Sequence, residues 1–346
     1  MRIALIGAGS IGTILGALIS RAGADIELVD SYEEQVDALN RDGARIVGFM
    51  DATIPVKAVM PDQMTGKYDL IISTTKQTTL KASLTSALQY MHDQTIVLTL
   101  QNGIPEDISQ QIVGPDRVMG GGVEFGATWL APGVSELTSA LDSLMITFGQ
   151  LDGQITAKTK AIQKIFSGFG RSVISTNIRG VRFSKLTDNS TFSAMSAVLA
   201  CNNGKILDSY TAMTCIAHLG REAGLIIERM GIHPEKIFGL QPLMKNVGFS
   251  TRKEMDAVIY EYWTPIYSPF RAGVASMLQD IEKGRKCEIH QINGKFVELS
   301  RHLGIDLPFM QTAVDIVTRL EKGELKLENA WENLKYFDIP LSKTIL

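Results

Sequence analysis

Apolar positions follow two different rhythms along this chain of 346 residues. Up to about residue 174, short continuous apolar runs alternate with stretches whose apolar residues recur every three or four positions. The first rhythm suits a strand buried on both faces, the second a helix covering such a sheet. RIALIG (2–7), DIELVD (25–30), YDLIISTT (68–75), TIVLTL (95–100), RVMGG (117–121) and SLMITFG (143–149) read as strands. SIGTILGALISRAG (10–23), EEQVDALNRDG (33–43) and KASLTSALQYM (81–91) read as helices, the first two stopped by Gly23 and Gly43. ARIVGF and TIPVKAVM, within 44–60, predict an extra hairpin or a pair of crossing strands. Strands alternating with helices in this way predict a mostly parallel, doubly wound α/β sheet.

From Gly180 onward the spacing is helical almost throughout, over 181–200, 209–230, 251–263, 271–283, 288–303 and 308–322. Gly204, the GIHP at 231–234, Pro265, Pro269 and Gly304 are the expected stops. The chain therefore divides into an α/β domain over 1–176 and an all-helical domain over 177–346. No internal repeat or low-complexity segment interrupts either.

Composition narrows the function classes. A net charge of −3 without a long basic run speaks against nucleic acid or an anionic membrane as main partner. Cys201, Cys215 and Cys287 are odd in number and far apart, which suits free thiols in a reducing compartment. The five histidines are scattered and form no HExxH pair, so no metal site is expected. Residues 1–20 are apolar enough to imitate a signal peptide, but they carry glycines at structured intervals and run into a strand. A soluble, cytoplasmic protein is the expectation.

Chemistry enters at the end of the first strand. Gly7-Ala8-Gly9-Ser10-Ile11-Gly12 fits G-x-G-x-x-G between a strand and a helix. Gly7 permits the tight turn, Gly9 a close approach of backbone to a pyrophosphate, and Gly12 close packing of helix on strand. Asp30 closes the second strand, where a carboxylate accepts ribose hydroxyls and repels a 2′-phosphate; SYEEQVDALN after it offers no cation. A dinucleotide site favouring NADH over NADPH follows, although Asp30 also stands where it would cap the next helix. Lys76 and Asn102 fall at the ends of two successive strands, facing the same crevice.

A second candidate opens the helical region. In RFSKLTDNS (182–190), ahead of the uncharged TFSAMSAVLA, Lys185 and Asn189 are four residues apart and share a helix face. A solvated lysine at a helix start is the plain reading; a proton donor beside a substrate-orienting amide is the chemical one.

GAGSIG, TTK at 74–76, QNG at 101–103, Lys185 with Asn189, and SMLQDIEKGRKCEIHQINGKFVEL at 276–299 together resemble the ketopantoate reductases (2-dehydropantoate 2-reductases) and their 2-hydroxy-acid dehydrogenase relatives. The resemblance spans most of the chain. It implies a Rossmann-type domain followed by a 6-phosphogluconate-dehydrogenase-like helical one, and hydride transfer from NAD(P)H to a 2-keto acid. It gives Lys185 the part of the lysine that protonates the carbonyl oxygen and Glu288 that of a carboxylate organising lysine and cofactor. It places Asn189, Asn203 and Ser276 on the substrate's hydroxyl and carboxylate, and Lys76 and Asn102 on cofactor and substrate. By analogy the helical domain is a candidate homodimer surface.

Three features depart from the family's pattern. Ser193 stands where many members carry another asparagine, which shortens one substrate contact. Asp30 replaces the basic residue of NADPH-using members. The segment 240–271 is longer and more aromatic than usual: Tyr260, Tyr262, Trp263 and Tyr267 either line a roomier pocket or, the favoured reading, serve packing or a subunit contact. The resemblance makes ketopantoate the first candidate substrate, while these three departures lean toward the alternative. An NAD-dependent D-2-hydroxy-acid dehydrogenase for bulkier substrates is the alternative, and a non-catalytic NAD-sensing protein the third reading.

Overall fold

In a computed structural model, which describes residues 1–343, the chain forms two compact units, Met1–Ile178 and Arg179–Leu346. The first is built on β1 (Arg2–Ile6), β2 (Asp25–Val29), β3 (Ala44–Gly48), β4 (Ala52–Ile54), β5 (Ala58–Val59), β6 (Tyr68–Ser73), β7 (Met91–Thr99), β8 (Val118–Val123), β9 (Ala127–Ala131), β10 (Val134–Leu137), β11 (Met145–Gln150) and β12 (Arg171–Ile174). The main sheet runs β12-β11-β8-β7-β6-β1-β2-β5, parallel at every pairing except β8 with β11. The order reverses at β1, which lies between β2 and β6, so loops leaving β1 and β6 diverge and open the crevice in which such sheets bind ligands.

Helices α1 (Ser10–Arg21), α2 (Glu33–Asp42), α3 (Gln77–Ala87), α4 (Glu106–Val113) and α5 (Ala157–Phe166) belong to this unit. Ile3, Leu5, Leu70, Ile72 and Leu98 form one apolar cluster with Ile14, Leu15 and Leu18 of α1. Ala4, Ile71 and Val97 join a second with Leu80 and Leu84 of α3. Adjacent strand residues thus enter different cores, which is why these strands read as unbroken apolar runs. The hairpin expected within 44–60 exists as β3 and β4, but it belongs to a separate four-stranded sheet, β4-β3-β10-β9. Strands β9 and β10 and helices α4 and α5 were not anticipated. ATWLA and VSEL are short and flank a turn glycine, so neither offers a strong period.

The second unit holds α6 (Ile178–Asp188), α7 (Ala194–Leu199), α8 (Asn203–Leu207), α9 (Tyr210–Arg229), α10 (Met244–Val247), α11 (Arg252–Ala257), α12 (Thr264–Tyr267), α13 (Ser276–Glu282), α14 (Ile289–Leu303), α15 (Pro308–Glu321) and α16 (Asp338–Lys343). A π-helical segment, Asn189–Ser193, joins α6 to α7, and another, Val258–Trp263, joins α11 to α12. Two expected stops and one expected helix start are corrected. The helix that starts at 178 ends at Ala200, in the left-handed region at φ 47°, ahead of Gly204, which is itself helical. Pro265 does not stop the helix: it lies directly after the π-helical segment, and the helical run continues through it to Tyr267. Residues 271–275 are not helical. Trp263 is fully buried and packs on Gly220, where a Cβ would collide with its ring.

Candidate active site

The glycine motif is built from backbone. Gly7 adopts φ +100° and lies so close to Thr75 that a Cβ would stand 2.7 Å from the Thr75 nitrogen. A Cβ on Gly12 would strike the Gly7 carbonyl, whereas one on Gly9 would meet nothing within 4 Å. Gly7 and Gly12 therefore serve the fold, while the open face at Gly9 fits a pyrophosphate approaching the start of α1. Ala8, Ser10 and Ile11 complete this loop and the first turn.

Side chains fix the loop from behind. Thr74 donates from Oγ1 to the Gly7 carbonyl at 2.7 Å, and Gln35 donates to the Ala8 carbonyl at 2.8 Å. The Gln35 carbonyl oxygen accepts from Trp129 and Gly133, which ties the glycine turn to β9 and β10. Gln35 was invisible in sequence, because its partners lie about 27 and 98 residues away. Asp30 follows β2 and accepts from the Tyr32 N–H at 3.0 Å through one carboxylate oxygen. The cap of α2 is Tyr32, without a side-chain bond, so Asp30 orders the turn instead of capping the helix. Lys76 precedes α3 as its cap residue, and Gln77 donates to the Asn102 carbonyl, bringing the two expected strand-end residues together.

The second unit contains a pocket of about 250 Å³ whose wall includes Lys185, Asp188, Ser193, Asn203, Phe238 and Tyr267. Lys185 Nζ lies 2.7 Å from one Asp188 oxygen; the Tyr267 hydroxyl donates to the other. Burial, and then the Asp188 charge, hold the Tyr267 phenol well above its ordinary pKa, so it remains a donor. Its ring stacks on Phe192 at 3.6 Å between centroids and 12° between planes.

Phe238 covers the ammonium, with Lys185 Nζ 5.1 Å from its ring centroid. It reaches that position through a two-residue turn: Ile237 and Leu240 exchange backbone bonds of 2.9 and 2.7 Å around Phe238-Gly239. Both central residues have positive φ, 48° and 90°. Glycine tolerates this; a phenylalanine is strained there, as residues at ligand sites often are.

The π-helical segment begins at the expected Asn189 and ends at Ser193. Such insertions disturb the i→i+4 ladder, and here buried Asn293 of α14 donates to the Ser190 carbonyl at 2.9 Å. Asn203 lines the pocket while its amide donates to the Phe270 carbonyl at 3.1 Å. Ser276 is exposed as the first residue of α13; Ala275, which lines the pocket, holds the cap position considered for Ser276. Glu288 is buried at the head of α14. The aromatic segment serves both expected purposes. Tyr267 and Phe270 line the pocket, Trp263 packs in the core, Tyr262 bonds to Gln241, and Tyr260 is exposed. Asp188, Phe238 and Asn293 are the neighbours that sequence reasoning did not single out.

A doubly wound dinucleotide fold with a helical unit carrying a pocket lysine defines a class of nicotinamide-dependent oxidoreductases. Residues 3–153 match the family described as ketopantoate reductase PanE/ApbA, and residues 177–321 its C-terminal part. The chain belongs to this family and is a 2-dehydropantoate 2-reductase-like oxidoreductase. It is 29% identical over 314 residues to the 2-dehydropantoate 2-reductase of Pyrococcus horikoshii, covering 89% of this chain and 93% of that one. With the same-named protein of Archaeoglobus fulgidus it shares 24%, over 93% and 98%. Among solved structures, a D-mandelate dehydrogenase with NADH and anilino(oxo)acetate superposes with a TM-score of 0.78 at 22% identity, covering 93% and 99%. A PanE/ApbA family ketopantoate reductase from Ralstonia eutropha JMP134 does so at 0.79 and 20%, covering 94% and 99%. Cys201, Cys215 and Cys287 are free and buried. Among the described residues no His, Cys, Asp or Glu group is placed to hold a metal ion, and no helix is long and apolar enough to cross a membrane.

Proposed function

We propose that this protein reduces a 2-keto acid with NADH, with ketopantoate as the first substrate to test and Lys185 as the proton donor. The observation that carries this reading is the Lys185 ammonium in the wall of a pocket whose other polar groups include Asn203 and Ser193. A reduced dinucleotide, when bound, would supply the hydride for the keto carbon. As charge develops on the keto oxygen, Lys185 Nζ gives it a proton; the product is a 2-hydroxy acid, and the amine regains its proton from water. An ammonium has three donors, so the bond to Asp188 leaves two for the substrate. Asn203 and Ser193 in the pocket wall, with Asn189 one turn from Lys185 and Ser276 next to the lining Ala275, supply neutral donors for the carboxylate. Gly9, on the loop that Gly7 and Gly12 shape, would hold the dinucleotide with Lys76 and Asn102, and Asp30 would favour NADH by accepting from the ribose. The buried Glu288 keeps the organising role toward lysine and cofactor that the resemblance gives it.

A second reading, an NAD-dependent D-2-hydroxy-acid dehydrogenase for bulkier substrates, is favoured by Phe192, Phe238 and Phe270 in the pocket wall. NADH and NADPH oxidation followed at 340 nm with ketopantoate, 2-ketoisovalerate, 2-ketoisocaproate and phenylglyoxylate separates the two. Preference for ketopantoate supports the first, and preference for phenylglyoxylate the second. NADH binding without oxidation by any of the four would sink both.

A further inference from the structure

The Lys185 ammonium ends a chain of three groups whose far member comes from the aromatic segment. Asp188, one turn on from Lys185 in α6, accepts from the ammonium at 2.7 Å through Oδ2. Its Oδ1 accepts from the hydroxyl of Tyr267, 79 residues away in α12. Tyr267 cannot swing, because its ring is buried and stacked flat on Phe192, itself part of the π-helical segment that follows Asp188. A side chain as long as lysine has many rotamers, and one about a third exposed has water to compete for its ammonium. A rigid phenol fixing a carboxylate that in turn fixes an ammonium removes much of that freedom.

We propose that Asp188 and Tyr267 are positioning residues which hold Lys185 Nζ at the pocket wall, with Tyr267 acting on the lysine only through Asp188. Neither is a proton donor to substrate. Tyr267 holds its proton too tightly, and both Asp188 oxygens are engaged. The proposal rests on Lys185 being the proton donor for its kinetic consequence, and on geometry alone for the consequence at the lysine itself. It explains why an aromatic residue with a hydroxyl, and not phenylalanine, stacks on Phe192: the ring supplies rigidity and the oxygen supplies the bond.

The test uses the full-length chain and the variants Asp188→Asn, Tyr267→Phe, the double variant and Lys185→Ala. Tyr267→Phe keeps the stacking ring and removes one oxygen, so a melting temperature near that of wild type shows it folded. The first readout is the acylation rate of Lys185 by N-hydroxysuccinimidyl acetate at pH 8, resolved by peptide mass spectrometry, which needs no turnover. Asp188→Asn is expected to raise it about tenfold and Tyr267→Phe about threefold, while surface lysines are unchanged. The second readout is steady-state kinetics: kcat falls in both variants, by about a hundredfold and about fivefold, with KM for NADH unchanged. The double variant is no slower than Asp188→Asn, because the phenol has nothing left to act through. Wild-type labelling in a folded Tyr267→Phe overturns the Tyr267 assignment, and wild-type labelling in Asp188→Asn overturns the whole proposal. Full activity in Lys185→Ala would instead remove the proton-donor reading while leaving the labelling result to decide the clamp.

Discussion

The glycine loop of the first unit and the lysine pocket of the second are made from different materials. The loop is backbone between a strand and a helix, and Gly7, Gly9 and Gly12 matter because they lack side chains. The lysine pocket is made of side chains on separate segments: Lys185 and Asp188 on α6, Phe238 in a strained turn, and Tyr267 in an aromatic segment. A backbone site is set by the fold's topology and tolerates variation around it. A side-chain site depends on packing of parts distant in sequence, so changes remote from the chemistry should damage it.

The largest expected effect breaks this symmetry from the packing side. Trp263→Ala, which empties the core beside Phe192 and Tyr267, should cost about 3–5 kcal/mol in urea denaturation of the helical unit. NADH binding followed by fluorescence should survive it below the transition. The converse is Gly9→Val, where no intramolecular contact is at stake. Its melting temperature should stay near wild type while NADH affinity falls about tenfold or more, measured by fluorescence titration. The same substitution at Gly12 should lower both, because the Gly7 carbonyl stands where the new side chain must go.

Phe238→Gly sharpens the contrast within the pocket. Releasing a non-glycine residue from positive φ should leave stability unchanged or raise it by up to about 1 kcal/mol. If the ring shields the ammonium, kcat should nevertheless drop severalfold; stability and activity moving together would argue against that role. Asp30→Asn should shrink the NADH preference over NADPH about tenfold in kcat/KM, leaving the helical unit's stability unaltered.

The smallest effect is a pH dependence confined to the helical unit. Glu222 accepts from the Phe309 and Met310 N–H groups at 2.9 and 2.8 Å, yet burial pushes its carboxyl up to about 8. Unfolding releases its proton between about pH 4.5 and 8, so stability falls as pH rises through that window. His218, stacked on Phe309, is lowered by burial to about 4, and unfolding takes up a proton between there and 6.5. Its contribution rises with pH. The two offset up to about pH 6.5, leaving a net decline from 6.5 to 8 of at most about 1.4 kcal/mol per pH unit. Urea titrations at pH 6.5 and 8 should show it in wild type, and Glu222→Gln should abolish it.

The same difference in materials decided what the sequence revealed. Gly7, Gly9, Gly12 and Asp30 form a local pattern with fixed spacing, and the strands around them announce themselves as unbroken apolar runs. The positions of Lys76 and Asn102 after strands could be read because strand ends are marked in the sequence. Lys185 was singled out by its context, but the carboxylate bonded to it was not, since a residue three positions on looks like any helical neighbour. Tyr267 was noticed as one of four aromatic residues without a reason to choose among them. Their separate fates, one at the lysine, two in packing and one exposed, follow from which face each takes within the π-helical segment Val258–Trp263 or just after it. That shift has no sequence period to betray it. Strands β9 and β10 escaped because four- or five-residue runs gain their stability from a neighbouring sheet.

The most direct test of the central claim is single-turnover oxidation of enzyme-bound NADH by a saturating 2-keto acid, comparing wild type with Lys185→Ala by stopped-flow absorbance at 340 nm. With Lys185 as the proton donor, NADH affinity is expected to be equal and the rate about a thousandfold slower in the variant. Equal rates in the two proteins would show that Lys185 is not the proton donor.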